Sequence, residues 1–276
     1  MAVQKAYIKA LSAGREPLDL ARGALWAAKV EMPELPVTDY IERIAALAER
    51  GLQGLSATAP LGDRVFALNA LLFDDLAFKL VSEPEPEACL LDRVIDERRA
   101  RPAALAMLYL SVGRLMGLPL KGFPFPGRLL IGIGEGDEGL LMDPVSGGVL
   151  LSRDDLELML TYSVGPEQAS GAMLDRLLQG SGDRYLLARV LTELQRDYAH
   201  AGALEKALEI SDCLLVIRPR SASAHRERAR LFERLDCHHA AHADYLRYLE
   251  LAPKAVDGEK IAARMARLGR LGVTLH

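Results

Sequence analysis

The sequence predicts a mostly helical α+β fold in two parts, on three observations. Half of the 276 residues are apolar but only 5% are aromatic, with Leu, Ala and Arg abundant. That composition suits closely packed helices better than a β-sandwich. Apolar residues recur at helical spacing through most of the chain, whereas strand-like runs punctuated by Gly and Pro are confined to residues 120–142. Finally, Ala207 and Pro219 are followed 34 residues later by Ala241 and Pro253, the signature of stacked helical hairpins.

Taken in order, Leu18–Glu31 and Val37–Arg50 read as amphipathic helices, the second preceded by Pro36 with Thr38 as a cap. Asp63–Leu80 repeats the pattern. The run SEPEPE (Ser82–Glu87) breaks it with two prolines and three like charges. Helical spacing returns in Ala88–Arg99 and Pro102–Met116, with Gly117 as the residue that ends the helix. Leu120–Phe123, Arg128–Ile133 and Gly139–Met142 then read as strands of a small antiparallel sheet. Ser152 caps a helix with Asp155 in the capping-box position, and Pro166–Gly180 supplies another helix before the break Gly180–Asp183. The expected domains are 1–180 and 181–276.

In the second domain the period is that of a tetratricopeptide array. Ala207 and Ala241 let paired helices approach, and Pro219 and Pro253 end the second helix of each hairpin because proline cannot continue the hydrogen-bond ladder. Leu214 and Leu215 fall in register with Tyr248 and Leu249, and Asp257–Leu268 would close the array. About two repeats are fewer than the ~3 usually needed to stand alone, so the tail is expected to dock on the first domain.

The net charge of −4 divides unevenly: residues 1–180 carry 18 basic and 25 acidic side chains (−7), leaving 16 and 13 (+3) for residues 181–276. Neither part has the concentrated basic face of a nucleic-acid binder. Three cysteines (Cys89, Cys213, Cys237) cannot all pair within one chain, which points to a reducing compartment. The N-terminal MAVQKAYIKALSAGREPL lacks a continuous apolar segment, and Arg114 interrupts the longest apolar run elsewhere, so the cytoplasm is expected, with no membrane span.

Several segments in one order carry a resemblance: ALWAAKVEMPELPVTDYI (24–41), NALLFDDLAF (69–78), ERRARPAALAMLYLSVGRLMGLPLKGFPFPGRLL (97–130), MDPVSGG (142–148), and the tail motifs HRERARLF and ADYLRYLELAP. Together they resemble the SirB-type branch of the transglutaminase-like superfamily, in which a degenerate papain-like core precedes a tetratricopeptide tail. The resemblance implies a transglutaminase-like helical domain with a small antiparallel sheet. In active relatives of the wider superfamily a cysteine opens the core helix, a histidine starts a strand and an aspartate on the next strand orients it. Carried over to this chain, the cysteine position is Pro102, the histidine position is Arg128 after Phe125-Pro126-Gly127, and only Asp143 survives. A guanidinium keeps its proton at any working pH and cannot act as a general base. Moreover, all six histidines lie at or beyond His200. The resemblance therefore implies a pseudoenzyme with a vestigial cleft around Pro102, Phe125, Arg128 and Asp143.

Other candidates divide between chemistry and structure. Cys89 could be an activated thiol beside Arg93, but its helical spacing in ACLLDRVI fits a small core residue. Asp143 is a vestige, a metal ligand or a turn residue; because the resemblance implies that positions 128 and 143 lie on adjacent strands, an ion pair with Arg128 is the preferred specific reading. Gly134–Gly139 spells GxGxxG, yet its three carboxylates and following strand suit a hairpin turn rather than a dinucleotide site. Cys237, His238, His239 and His242 offer metal ligands without an obvious complete set, and an exposed helix start accounts for them. Arg93, Arg98, Arg99 and Arg101 alternate with acids, as on a solvated helix face, and Arg98 and Arg99 also match the family motif at the core-helix entrance. Arg189, Arg196, Arg226 and Arg230 fall on the concave face of the repeats, where they either grip an acidic peptide or bridge to the acidic first domain.

The leading reading is a non-catalytic cytoplasmic binding or scaffolding protein, without cofactor or metal, in which the degenerate cleft around Phe125, Arg128 and Asp143, the tetratricopeptide groove, or both receive a protein or peptide segment. Its rival is a thiol hydrolase or acyltransferase pairing Cys89 with a tail histidine, His200 or His225. Neither the partner's identity nor the oligomeric state is written in the sequence.

Overall fold

The structure, a computed structural model, describes residues 19–133 and 140–273, with side chains to residue 269. The described residues form two compact units that divide between Val190 and Leu191.

The first unit is built around one helix with hardly any polar face. Its lead-in is α1 (Leu20–Ala28), started by the Asp19 carboxylate, which accepts the Arg22 amide at 2.9 Å; then come α2 (Val37–Leu52) and α3 (Leu61–Asn69). The expected helix 63–80 does not run through. It ends at Asn69, passes into a π-helical segment Ala70–Asp75, and stops where Ala77 takes a positive φ of 52°. Lys79–Leu80 (β1) then pairs in parallel with Arg99–Ala100 (β2).

The expected helix 88–99 is likewise divided. A 3-10 turn, Pro86–Cys89, meets α4 (Leu91–Glu97) at an extended Leu90, and Arg98 in the left-handed region ends it. The core helix α5 (Pro102–Leu115) follows, buried at every residue from Ala103 to Leu110 and again at Val112 and Gly113. Proline at its first position costs nothing, because that N–H has no partner within the helix. A Cβ on Gly113 would meet Leu120 Cδ1 at 2.3 Å and Leu68 Cδ2 at 2.9 Å, so glycine lets α3 and the first strand of the sheet close on α5.

That sheet is antiparallel, ordered β3 (Leu120–Phe125), β4 (Arg128–Ile133), β5 (Leu140–Asp143), β6 (Val149–Leu151). Phe125 sits opposite Arg128 across a two-residue turn, where Gly127 supplies the positive φ of 74°. Ser152 starts α6 (Arg153–Val164) with the expected capping box, its side chain and that of Asp155 each serving the other's backbone. The helix expected over 166–180 is reduced to α7 (Gly171–Leu177), because Ser170 accepts the Met173 amide and starts the helix late. Phe123, Phe125, Leu130 and Leu141 of the sheet bury against Leu156, Leu160 and Leu174 of these two helices.

Helix α8 (Asp183–His200) crosses the division between the units. The second unit continues with α9 (Leu204–Ile217), α10 (Ala222–Arg234), α11 (His238–Leu251) and α12 (Gly258–Val273). Ala207 and Ala241 have no solvent exposure, as helix pairs packed through small residues require. Pro219 and Pro253 stand just past the ends of α9 and α11. Ala229, Tyr245, Tyr248, Ile261, Met265 and Leu268 make a core shared by the last three helices. No described helix is long and apolar enough to cross a membrane.

Candidate functional site

The strongest polar feature of the first unit is the pair expected from the sequence. Continuing the β4–β5 register outward from Ile131 opposite Met142 places Leu130 opposite Asp143, with Arg128 diagonal to it on the same face. The Arg128 guanidinium donates to Asp143 Oδ2. Asp143 also accepts the Val145 amide at 2.9 Å and the Ser146 hydroxyl at 3.0 Å, which starts the turn Pro144–Ser146. The aspartate side chain is 1% exposed and the arginine 40%, so a buried carboxylate holds a cation at the surface.

The turn carrying Asp143 is anchored from behind. Tyr109 of α5 donates to Asn69 Oδ1 at 2.7 Å and lies 3.6 Å from Met142 Sδ, while Asn69 Nδ2 donates to the Gly148 carbonyl at 3.3 Å. Gly148 has φ +76°, and a Cβ there would come within 2.2 Å of Asn69 Oδ1. Burial pushes the Tyr109 phenol far above its ordinary pKa, so it serves as a donor and not as a base. Phe125 is part of the core between the sheet and α6–α7, and Pro102 opens α5. None of Pro102, Phe125, Arg128 and Asp143 lines the cavity of about 320 Å³ bounded by Leu20, Ile41, Ile44, Ser111 and Arg114. There, Arg114 is already committed to both oxygens of Asp183 and to the Leu120 carbonyl.

The basic cluster before α5 has structural work. Arg101 donates to the carbonyls of Val81, Ser82 and Glu83, and Arg99 grips Glu85 through two bonds of 2.8 Å. Arg98 reaches the Leu76 carbonyl at 3.4 Å. Together they fix the SEPEPE segment against the core-helix entrance. The GxGxxG run lies outside the described residues, but its flanks pair antiparallel, with Ile133 opposite Leu140, so no helix follows it.

Cys89 is 3% exposed and Cys213 2%, and burial, with Asp212 and Glu209 nearby, pushes the Cys213 thiol up to about 12. Cys237 is exposed. Iodoacetamide on the native protein is therefore expected to modify Cys237 and spare Cys89 and Cys213 until denaturant is added. Peptide mapping that found Cys89 alkylated first would identify a reachable thiol. Among the described residues no group of three or more His, Cys, Asp and Glu side chains is placed to hold a metal ion.

The four arginines read from the repeat register, Arg189 at the end of the first unit and Arg196, Arg226 and Arg230 in the second, behave differently from one another. Arg226 donates to Asp257 at 3.0 Å and Glu227 at 3.2 Å and lies over the Tyr248 ring, so its partners are internal to the tail. Arg230 is 44% exposed and reaches only Glu227. Arg196 is exposed and bonds to no described residue, while Arg189 is half-buried with an unpartnered Nε.

Sequence reasoning missed the centre of the network. Arg228 makes two bonds to Asp244, at 2.6 and 2.9 Å, and one to Asp212 at 2.6 Å. His225 adds Nδ1 to Asp244 at 2.9 Å and Nε2 to the Pro219 carbonyl at 3.2 Å, which commits it inside the tail. The one available signal was spacing: Asp212, Arg228 and Asp244 follow at intervals of 16, one on each of three successive helices.

Comparison with known proteins follows the same division. A family model described as transglutaminase-like superfamily matches residues 38–192, and a tetratricopeptide repeat model matches residues 194–266. The chain is 27% identical over 263 residues to a UPF0162 protein of Xylella fastidiosa, covering 95% of this chain and 94% of that one. It is 24% identical over 252 residues to protein SirB1 of Salmonella typhimurium, covering 90% and 91%. A crystal structure of menin aligns with a TM-score of 0.47 at 12% identity, covering 94% of this chain and 72% of that one.

Proposed function

Because the chain belongs to the transglutaminase-like superfamily yet carries a guanidinium where active members carry an imidazole, we propose that it is a non-catalytic, cytoplasmic protein-binding or scaffolding protein. The Arg128–Asp143 pair carries this reading. It converts the aspartate from an orienter of a base into the counterion of a permanent cation, and a Cys-His mechanism then has no group to take the thiol proton. The burial of Cys89 and the absence of histidine before His200 support it.

Binding falls to the repeat domain, taken as residues 181–276, whose helices present an extended surface. Exposed Arg196 and Arg230 favour a protein or peptide with acidic side chains, since planar guanidiniums pair with carboxylates through two bonds. The relatives named above, a UPF0162 protein of Xylella fastidiosa and SirB1 of Salmonella typhimurium, are bacterial.

The test is an affinity capture from lysate with wild-type protein, an Arg196→Glu/Arg230→Glu variant and a Cys89→Ser variant. A partner lost on charge reversal, retained by Cys89→Ser, and lost without a change in Tm is the expected result. A partner that ignores the charge reversal removes the repeat face from the reading. A thioester trapped on Cys89 returns the chain to catalysis.

A further inference from the structure

We infer that the repeat unit grips an acidic peptide in the extended polyproline II conformation, bearing a carboxylate at about every third residue, through a file of three arginines, Arg196, Arg230 and Arg264. This rests on the protein-binding reading and specifies its ligand. The three positions are separated by 34 residues each, so they occupy the same place on α8, α10 and α12, the first helix of each successive repeat step. The last helix thus extends the binding face in addition to closing the array. All three side chains reach solvent: Arg196 is exposed, and Arg230 and Arg264 are 44% and 43% exposed.

Their neighbours leave them available. Arg226 and Arg228 spend their donors on Asp257, Asp212 and Asp244, whereas Arg230 bonds through Nη1 to Glu227 and Arg264 through Nε to Glu233. Each of these two guanidiniums is braced along part of its edge, with other N–H groups outward. Such bracing reduces the side-chain entropy lost on binding. Arg234 and Arg267 are exposed beside the file, and Arg267 shares Glu233 with Arg264.

Geometry sets the ligand's spacing. Helices α8 and α10 are neighbours, since Arg234 of one donates to the Ala199 carbonyl of the other at 2.9 Å, and Glu233 of α10 binds both Arg264 and Arg267 of α12. Packed helix axes stand about 8–10 Å apart, and a chain in the polyproline II conformation advances about 3.1 Å per residue with about three residues per turn, which returns every third side chain to one face. One step from arginine to arginine therefore spans about three residues of such a peptide. A peptide of the form Glu-x-x-Glu-x-x-Glu meets all three guanidiniums, and one with contiguous glutamates reaches only one or two. The repeat domain's modest balance of +3 favours such a short, spaced ligand over a phosphate backbone.

The experiment measures fluorescence anisotropy of two labelled peptides of identical composition, Glu-Ser-Gly-Glu-Ser-Gly-Glu and Glu-Glu-Glu-Ser-Gly-Ser-Gly, against the full-length protein. The spaced peptide is expected to bind about tenfold tighter than its isomer. Arg196→Glu, which breaks no described contact, is expected to weaken the spaced peptide about tenfold with Tm unchanged. Arg264→Gln, which keeps donors toward Glu233, is expected to weaken it less. Equal affinity for the two peptides, no binding of either, insensitivity to Arg196→Glu, or tighter binding of a single-stranded oligonucleotide would each overturn the inference. If captured partners in lysate still depend on Arg196 and Arg230 while the peptides bind equally, the spacing falls and the protein-binding reading stands.

Discussion

Arg228→Met is expected to destabilise the repeat unit by about 3–5 kcal/mol, because it strips the main counterion from a buried carboxylate. Asp244 has a side chain only 7% exposed and receives two of the three Arg228 bonds. With a thioether in place of the guanidinium, Asp244 keeps only the His225 ring as a partner and Asp212 loses its bond. Burial alone would lower the Arg228 pKa, but the hydrogen bonds and charges of Asp244 and Asp212 outweigh it and hold the guanidinium above its ordinary value. Urea denaturation followed by helical circular dichroism reads the loss directly. A double variant, Arg228→Met with Asp244→Leu, is expected to recover much of it, since removing both charges removes the desolvation cost. A single-variant loss below about 1 kcal/mol would show that water already reaches the pair.

The same unit weakens in acid, and the direction follows from its carboxylates. Burial pushes Glu233 upward, but hydrogen bonds from Arg264 and Tyr245 outweigh it and hold the pKa below the ordinary value; Asp257 is lowered chiefly by the Tyr248 hydroxyl. Both groups therefore contribute stability that is present above their unfolded pKa values and is lost as pH falls through the lower folded ones. Unfolding midpoints for the repeat unit should accordingly drop below the ordinary carboxylate range.

What the sequence could reveal was local or periodic. The Ser152–Asp155 capping box, the strand over Arg128–Ile133 and the 34-residue alanine and proline register each depend on residues within one element or one repeat, and each stands in the structure. The Arg128–Asp143 pair was legible only through the family resemblance, which sets the two positions on adjacent strands. Breaks that depend on a single dihedral were not legible: Ala77 at φ 52° ends the π segment, and extended Leu90 splits 86–97. Nothing in their side chains signals either. Strand β6, three residues long, is too short to show alternation. Arg228 was hidden for another reason, because its value comes from two carboxylates on two other helices.

Asp143→Ala is expected to cost about 2–4 kcal/mol, the second-largest loss, because one carboxylate serves three donors. The Val145 amide, the Ser146 hydroxyl and the Arg128 guanidinium would all lose their acceptor in a turn packed behind Asn69 and Tyr109. Arg128→Leu should cost less, about 1–2 kcal/mol, since Asp143 keeps two donors and the arginine is already 40% exposed. The order of these two losses separates structural anchoring from a vestige. If the carboxylate mattered only as the remnant of a catalytic pair, both substitutions would fall within about 0.5 kcal/mol of wild type. Arg128→His supplies a further comparison: it returns an imidazole to the position facing Asp143, yet Pro102 still offers no nucleophile. That variant is expected to fold, to hydrolyse no thiol-reactive acyl substrate, and to leave Cys89 protected from iodoacetamide. An acyl-enzyme formed by Arg128→His would show that a nucleophile other than residue 102 is within reach of position 128, and would overturn the non-catalytic reading.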